Sequence, residues 1–483
     1  MNALESKRSR DWPLDVLGLP RRVASAGAPR VAVLGLARSG LAAARVLDEA
    51  GCELELLDLK APEEAKEELA ALCARGAKLR LGPHDPTWLD TYDLLVKSPG
   101  IPPRAPFLRA ANERGVPIIG ELTLGQLLCR GPVLAITGTN GKSTTTAWAG
   151  AMLQASGRPT EVAGNIGRPF CDAVRARSDA HFVVEASSFQ IADSPGFRPD
   201  VSVLLNFAPD HLDYHSSLGE YREAKLSLLA HTSADGVVVV GEEDALADTI
   251  AARAVASLHR ATARDRGNPG AFTRDGRVVL RDADRREHDL GARSDLSLRG
   301  EHNLANALAA AAGTAALGGT PGGISEALRS FPGLPHRLEQ VAKIDGVVFI
   351  NDSKATNVDS LEVALRSFDE PVVLIAGGKD KGQDFTPLAP LVARQVAHLV
   401  LIGEGAELLA RTWSATPQVR VASLSEAVER SFELARGGHA GTVLLSPACA
   451  SFDMFRDYED RGEKFRSAVE ELARRRGEGG GDV

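Results

Sequence analysis

The chain has 483 residues, enough for about three domains at roughly 150 residues each. Hydrophobic residues make up 44% and charged residues 25%, ordinary values for a globular protein that buries several cores. The formal charge of −8 argues against a nucleic-acid binder, but local lysines and helix N-termini can still take anionic small ligands.

Residues 1–29 are rich in Arg, Pro and small residues and read as a poorly ordered lead-in without the apolar core of a signal peptide. No run of about 18 apolar residues occurs anywhere, so no membrane span is expected. Five cysteines are scattered, odd in number and never spaced C-x-x-C. That disfavours a disulfide framework or structural zinc and suits a cytoplasmic protein.

From residue 30, "RVAVLGLARSGLAAARVLDEAGCELELLDLK" reads as strand, glycine turn, amphipathic helix and a second strand ending at Asp58. "YDLLVKSPGIPP" and "VPIIGELTLG" continue this alternation, which predicts a parallel sheet covered by helices up to about residue 120. In "GLARSG", Gly35 and Gly40 match the outer glycines of G-x-G-x-x-G, but Ala37 holds the middle position, where a glycine lets a pyrophosphate approach. A dinucleotide oxidoreductase is therefore disfavoured, and a different nucleotide-linked ligand fits better.

A second alternating unit, 121–333, opens with the strand "PVLAIT" and the loop "GTNGKST". Gly141, Lys142 and Ser143 fit the second half of G-x-x-x-x-G-K-[ST], while Ile136 stands where the first glycine would be. The bland reading is a tight turn with a surface lysine. The strand before it and the Thr-rich helix start after it favour a phosphate loop, with backbone N–H groups and the helix dipole aimed at one anion. Lys142 would reach the β/γ-phosphates, and the Ser143 hydroxyl would complete a Mg²⁺ shell.

"FVVEASS" places Glu185 at the end of a buried strand, where a charge needs a cation opposite or serves as a cap. "NFAPDHLDYH" gathers Asp210, His211, Asp213 and His215 past another strand end, the edge at which open α/β sheets bind ligands. Most of these read as solvated loop residues, and His211 is singled out. By spacing alone Lys225, in "YREAKL", reads as an exposed helix lysine. Residues 263–299 change to short strands and polar turns, predicting a small antiparallel accessory sheet or edge. "HNLANALAAAAGTAALG" is a small-residue helix for core packing, with Asn303 and Asn306 on one face. "FPGLPHR" breaks the pattern, and a third alternating unit fills 334–483.

With "TGTNGKST", "GNIG", "EASSFQ", "DHLDYH", "YREAKL", "HNLANAL", "PHR", "NDSKATN" and "LLSPACASFDMF" in this order, the chain resembles the Mur ligase family from about residue 30 to about 475. The last two motifs and "IAGGKDKGQDF" resemble most the member that adds D-glutamate to UDP-N-acetylmuramoyl-L-alanine. The resemblance implies an α/β protein of three domains: a Rossmann-like N-terminal domain, a central P-loop ATPase-type parallel sheet and a Rossmann-like C-terminal domain. It also implies a monomeric enzyme of peptidoglycan precursor synthesis that closes on its small-molecule substrates by hinges near residues 120 and 333.

The implied cofactors are ATP and two Mg²⁺ ions. ATP would meet Gly138, Thr139, Asn140, Gly141, Lys142, Ser143 and Thr144, then Asn303, Asn306, Arg337 and Asp352. Ser143 and Glu185 match ligands of one magnesium and His211 a ligand of the second, with Lys225 matching the family's carbamylated lysine. Lys142, Glu185, His211 and Lys225 are thus the implied catalytic set.

The uridine-linked substrate would meet Arg38, Ser39, Lys60, Ser98 and Asn165, with Leu59 departing from the hydroxylated residue expected there. Lys354, Thr356, Lys381, Ser451, Phe452 and Tyr458 match the pocket of the incoming amino acid, where lysines suit an acidic side chain. The rivals are a relative that adds L-alanine or a diamino acid, one that adds glutamate to folate, and a P-loop NTPase switch that hydrolyses ATP without an amino acid.

Overall fold

The computed structural model describes residues 28–207, 217–241, 256–298, 300–380 and 382–478. These form two compact units, one running to Ser297 and taking in Glu301–Phe331, the other Leu298–Gly300 with the chain from Pro332 onward. Among the described residues no helix is long and apolar enough to cross a membrane.

The first unit holds two sheets. One has five parallel strands, β1 (Arg30–Leu34), β2 (Glu53–Asp58), β3 (Lys78–Leu81), β4 (Leu94–Lys97) and β5 (Ile118–Gly120), in the order β3-β2-β1-β4-β5. β1 and β4 are apolar runs because helices cover both faces of the sheet. The order reverses between them, so the turns after β1 and β4 meet at one edge. There Gly35, at φ +88°, sits so close to Ser98 that a Cβ would lie 2.8 Å from the serine Cβ. A Cβ on Gly40 would overlap the Gly35 carbonyl. Both glycines of "GLARSG" answer helix-to-strand packing, and neither requires a dinucleotide.

The other sheet has nine strands: β6 (Val133–Thr137), β7 (Thr160–Gly164), β8 (His181–Glu185), β9 (Val201–Leu204), β10 (Val237–Val240), β11 (Ser257–Thr262), β12 (Gly270–Arg274), β13 (Arg277–Arg281) and β14 (Glu287–Ala292). β6 runs parallel between β9 and β8, and the chain leaves it at the sheet's C-terminal edge. Of the two expectations, accessory sheet or antiparallel edge, the edge holds. β12 pairs parallel with β11, and β13 and β14 add antiparallel strands to the same sheet. On this edge Arg281 and Arg274 bridge Asp265 to Glu287.

The helix Lys142–Ala155 that follows the loop is fixed from behind by Trp148, which is wholly buried. Its Nε1 donates to the Ala327 carbonyl at 2.9 Å, and its ring stacks on Phe331.

The second unit has six strands: β15 (Glu339–Ile344), β16 (Val347–Asn351), β17 (Val372–Gly377), β18 (Val396–Ile402), β19 (Gln418–Arg420) and β20 (Thr442–Leu445), in the order β15-β16-β20-β17-β18-β19. Only β15 runs antiparallel to its neighbour. β20 lies between β16 and β17, which places the turns after all three strands at one edge.

Candidate functional site

β6 is buried along its whole length and delivers the chain into 138–141 at the sheet edge. Gly141, at φ +82°, precedes the helix and lies against Asn306, whose side-chain amide a Cβ here would overlap. Asn306 Nδ2 in turn donates to Asn303 Oδ1 at 3.4 Å, so the pair shares one helix face as its spacing requires.

Two segments grip the loop. Asn206, just past β9, accepts from the N–H groups of Thr139 and Asn140 through Oδ1 at 3.2 and 2.9 Å, and donates through Nδ2 to the Asn140 carbonyl at 3.0 Å. From the helix Leu218–Ala230, the Tyr221 hydroxyl bonds the Thr139 hydroxyl at 3.0 Å. Lys225 is only 2% exposed, contrary to the exposed lysine its spacing suggested, because its helix turns that face to the loop. Its Nζ donates to the Gly138 carbonyl at 2.8 Å and lies over the Tyr221 ring. Lys142 Nζ donates to the same carbonyl at 3.0 Å and to that of Thr139 at 2.7 Å. Two lysine side chains therefore end on one oxygen.

Glu185 pairs in register with Ile136, which sets it beside the loop. It is 1% exposed, and its Oε1 accepts from Asn165 Nδ2 at 2.7 Å. Its other oxygen, Oε2, is buried without a hydrogen-bond partner among the described residues. An unpaired carboxylate oxygen costs about 1–3 kcal/mol or more, which a metal cation would offset. Ser143 is buried at the first turn of the helix beside the loop. Among the described residues no three His, Cys, Asp or Glu side chains converge on a metal position. His211, with Asp210, Asp213 and His215, lies outside the described residues.

At the edge of the first sheet Ser98 is buried, and its Oγ donates to the Gly35 carbonyl at 2.7 Å. Asp58 accepts from the N–H groups of Leu36 and Leu59, both at 2.7 Å. Arg38 donates to the Gly167 carbonyl in the "GNIG" turn, and Asn165 of that turn holds Glu185. Ser39 is half-buried on the same helix as Arg38, and Lys60 is exposed. Leu59 is 69% exposed and offers no hydroxyl. The buried pair Lys97–Asp193 ties this edge to the end of the short helix Ser188–Ala192 that follows Glu185.

In the second unit Asp352 is buried at the end of β16, accepting from Ser446 Oγ at 2.8 Å and the Leu338 N–H at 3.2 Å. Burial pushes its carboxyl up to about 7, against those hydrogen bonds and the nearby Arg337 and Arg461 charges. Lys354 Nζ donates to the Tyr458 hydroxyl at 2.9 Å, and that hydroxyl donates to Glu459 at 2.9 Å. Burial and Glu459 together push the phenol up to about 12. Thr356 is half-buried, Ser451 is buried, and Phe452 next to it is 63% exposed. Lys381 lies outside the described residues.

Arg461 is the residue that the sequence reading passed over. It is wholly buried, with Nε on Ser353 Oγ at 2.9 Å, Nη2 on the Ser353 carbonyl at 2.8 Å and Nη1 on the Cys449 carbonyl at 3.1 Å. One guanidinium thus joins the turns after β16 and β20 to the helix Tyr458–Glu478. It lies three residues after Tyr458, so both face the same way, which is the signal that could have found it. Tyr221, four before Lys225, carried the same signal.

Residues 29–120 match the Mur ligase MurD-like N-terminal domain, 136–314 the Mur ligase middle domain and 336–449 the Mur ligase glutamate ligase domain. The chain belongs to the Mur ligase family. Among its relatives are the UDP-N-acetylmuramoylalanine–D-glutamate ligases of Geobacter metallireducens, 41% identical over 92% of this chain and 97% of that one, and of Salinibacter ruber, 42% identical over 92% and 98%. The crystal structure of MurF ligase from Thermotoga maritima in complex with ADP shares the fold, with 15% identity, a TM-score of 0.54 and coverage of 87% and 96%. This Mur ligase carries, at one sheet edge, a glycine-bracketed loop, two lysines and a carboxylate with one oxygen that has no hydrogen-bond partner among the described residues.

Proposed function

We propose that this Mur ligase joins D-glutamate to UDP-N-acetylmuramoyl-L-alanine at the expense of ATP, a step of peptidoglycan precursor synthesis. The observation that carries this reading is Glu185, buried beside the phosphate loop with one oxygen unpaired. Near-full-length similarity to D-glutamate ligases supports the choice of amino acid.

A carboxylate is a poor electrophile, and its charge opposes ATP by about 4 kcal/mol per close charge pair at an effective dielectric near 20. Lys142 lies at the loop to offset charge on the γ-phosphoryl group. The acceptor carboxylate oxygen bonds to the γ-phosphorus while the bond from that phosphorus to the bridging oxygen breaks, releasing ADP. The amine of D-glutamate then attacks the acyl carbon, and the tetrahedral intermediate expels phosphate to leave an amide. The amine's protons pass to solvent or a base.

Ser143 and Glu185 would hold one Mg²⁺, His211 a second, and magnesium would supply further charge neutralisation at the phosphates. Lys225 carries the family's carbamate in this proposal. Lys142 and Lys225 share the Gly138 carbonyl, and a carbamate on Lys225 would set an anion beside the Lys142 ammonium. Asn303, Asn306, Arg337 and Asp352 serve the nucleotide. Arg38, Ser39, Lys60, Ser98 and Asn165 serve the uridine-linked substrate. Lys354, Thr356, Lys381, Ser451, Phe452 and Tyr458 serve the amino acid. Leu59, exposed and apolar, can shield the uracil region but cannot hydrogen-bond it.

The test is phosphate release from MgATP with UDP-N-acetylmuramoyl-L-alanine across a panel of single amino acids. Release with D-glutamate, matched by amide product, is expected. A preference for L-alanine or a diamino acid would move the chain within the family. Release without acceptor or amino acid would overturn the ligase reading.

A further inference from the structure

Asn206 completes the loop in a way its sequence position does not announce. The ladder between β6 and β9 ends with Thr137 opposite Leu204, and the Leu205 N–H still reaches the Thr137 carbonyl at 3.0 Å. Beyond that point the Thr139 N–H reaches the Asn206 carbonyl, and the Asn206 side chain supplies the remaining bonds. Its amide pairs with both main-chain groups of Asn140, as a residue of a neighbouring strand would, and the Thr139 N–H is shared between its Oδ1 and its own carbonyl at 3.1 Å. A Cβ on Gly138 would lie 2.9 Å from the Leu205 Cβ, so the loop rests directly on this segment.

Two consequences follow. The N–H groups of Thr139 and Asn140 are turned toward Asn206, so an anion at this loop must be held from Gly141 onward, where helix geometry leaves the first N–H groups beyond the helix's own ladder. The missing glycine at Ile136 then costs nothing, since residues 136–137 still belong to β6, residues 138–140 rest on the segment after β9, and the phosphate nest begins later. We propose that Asn206 is a positioning residue for the nucleotide, pinning residues 139–140 so that the N–H groups from Gly141 onward and Lys142 converge on the ATP phosphates. This rests on the ATP-dependent reading above.

Asn206→Ala and Asn206→Asp test it, with MgADP as the probe in titration calorimetry on the full chain. Alanine leaves the Asn140 N–H without its acceptor and the Asn140 carbonyl without its donor, while the Thr139 N–H keeps the Asn206 main-chain carbonyl. Aspartate keeps the acceptor but sets a carboxylate oxygen against the Asn140 carbonyl and a negative charge near the phosphates. Both variants are expected to bind MgADP about tenfold more weakly, the loss of one or two hydrogen bonds. The KM for UDP-N-acetylmuramoyl-L-alanine should stay within about twofold of the parent, a split that a general loss of structure would not produce. Thermal melting identifies which variants are folded, and either one decides the matter. A folded variant that binds MgADP as tightly as the parent overturns the role of Asn206. Failure of the parent itself to bind MgADP would instead overturn the ATP reading.

Discussion

The 138–141 loop of the first unit and the 351–356 turn of the second handle buried charge in opposite ways. Beside the loop, Glu185 keeps one oxygen without a donor among the described residues, and two lysines end on a single carbonyl. In the second unit Arg461, equally buried, has three neutral acceptors around it, and Asp352 has two donors. In the function proposed above, a bound cation and phosphate would complete the first arrangement. The second is complete and serves as a scaffold that presents Lys354 and Ser451. Ligand affinity should therefore dominate mutations in the first region, and stability those in the second.

The largest expected effect tests the first half of that contrast. Glu185→Gln preserves the oxygen that accepts from Asn165 but removes the charge. Steady-state assays should show kcat down about 100-fold or more, with Tm unchanged or higher because an unpaired charge has left the core. A Tm that falls together with kcat would mean that Glu185 is structural. Arg461→Met is the counterpart. It strips donors from Ser353 and from the Cys449 carbonyl, so urea unfolding should show a loss of about 3 kcal/mol. The KM for the amino acid should rise as the turns after β16 and β20 loosen. An unchanged unfolding midpoint would remove the scaffold argument.

Much of this was legible in the sequence, for reasons that particular residues make plain. The apolar runs of β1, β6, β8 and β17 announce strands buried on both faces, and "GTNGKST" and Glu185 announce themselves by following such strands. What stayed hidden depends on pairings distant in the chain. The attachment of β12 to β11 decides whether the antiparallel strands form their own sheet, and nothing local encodes it. Lys225 is buried because its helix faces Gly138, 87 positions away, and helix spacing alone does not say which face points inward. Asn206 is one polar residue after a strand, and only the course of the facing loop reveals what its amide does.

Acid titration offers a smaller effect, and one that separates the two units. Asp352 and, in the first unit, Glu121 are buried, and burial pushes each carboxyl up to about 7. Each holds its proton more tightly folded than unfolded, so the unfolded chain binds fewer protons across this window. Stability contributed by the neutral acids is full below about pH 4 and falls as pH rises to about 7, by on the order of a few kcal/mol for each. Asp352→Asn should flatten that slope for the second unit and Glu121→Gln for the first, measured as urea unfolding between pH 4.5 and 8. An unaltered slope in both would show that these carboxyls ionise freely.

The smallest effect is the most discriminating, because it separates backbone conformation from packing at the loop. Gly141→Ala places a Cβ at φ +82°, a strain of about 1 kcal/mol for an L-residue, and drives it into the Asn306 amide. The KM for ATP should rise several-fold from the two causes together. Asn306→Ala removes the obstructing amide and whatever contact that amide makes with nucleotide. If packing matters, the double variant will lose less than the sum of the single losses, and the shortfall measures the clash. Strict additivity would assign the whole effect to backbone strain and leave Asn306 as a contact to the nucleotide rather than a support for the loop. Either result fixes how the helix Glu301–Ala316, far along the chain from the glycine it touches, shapes the phosphate loop.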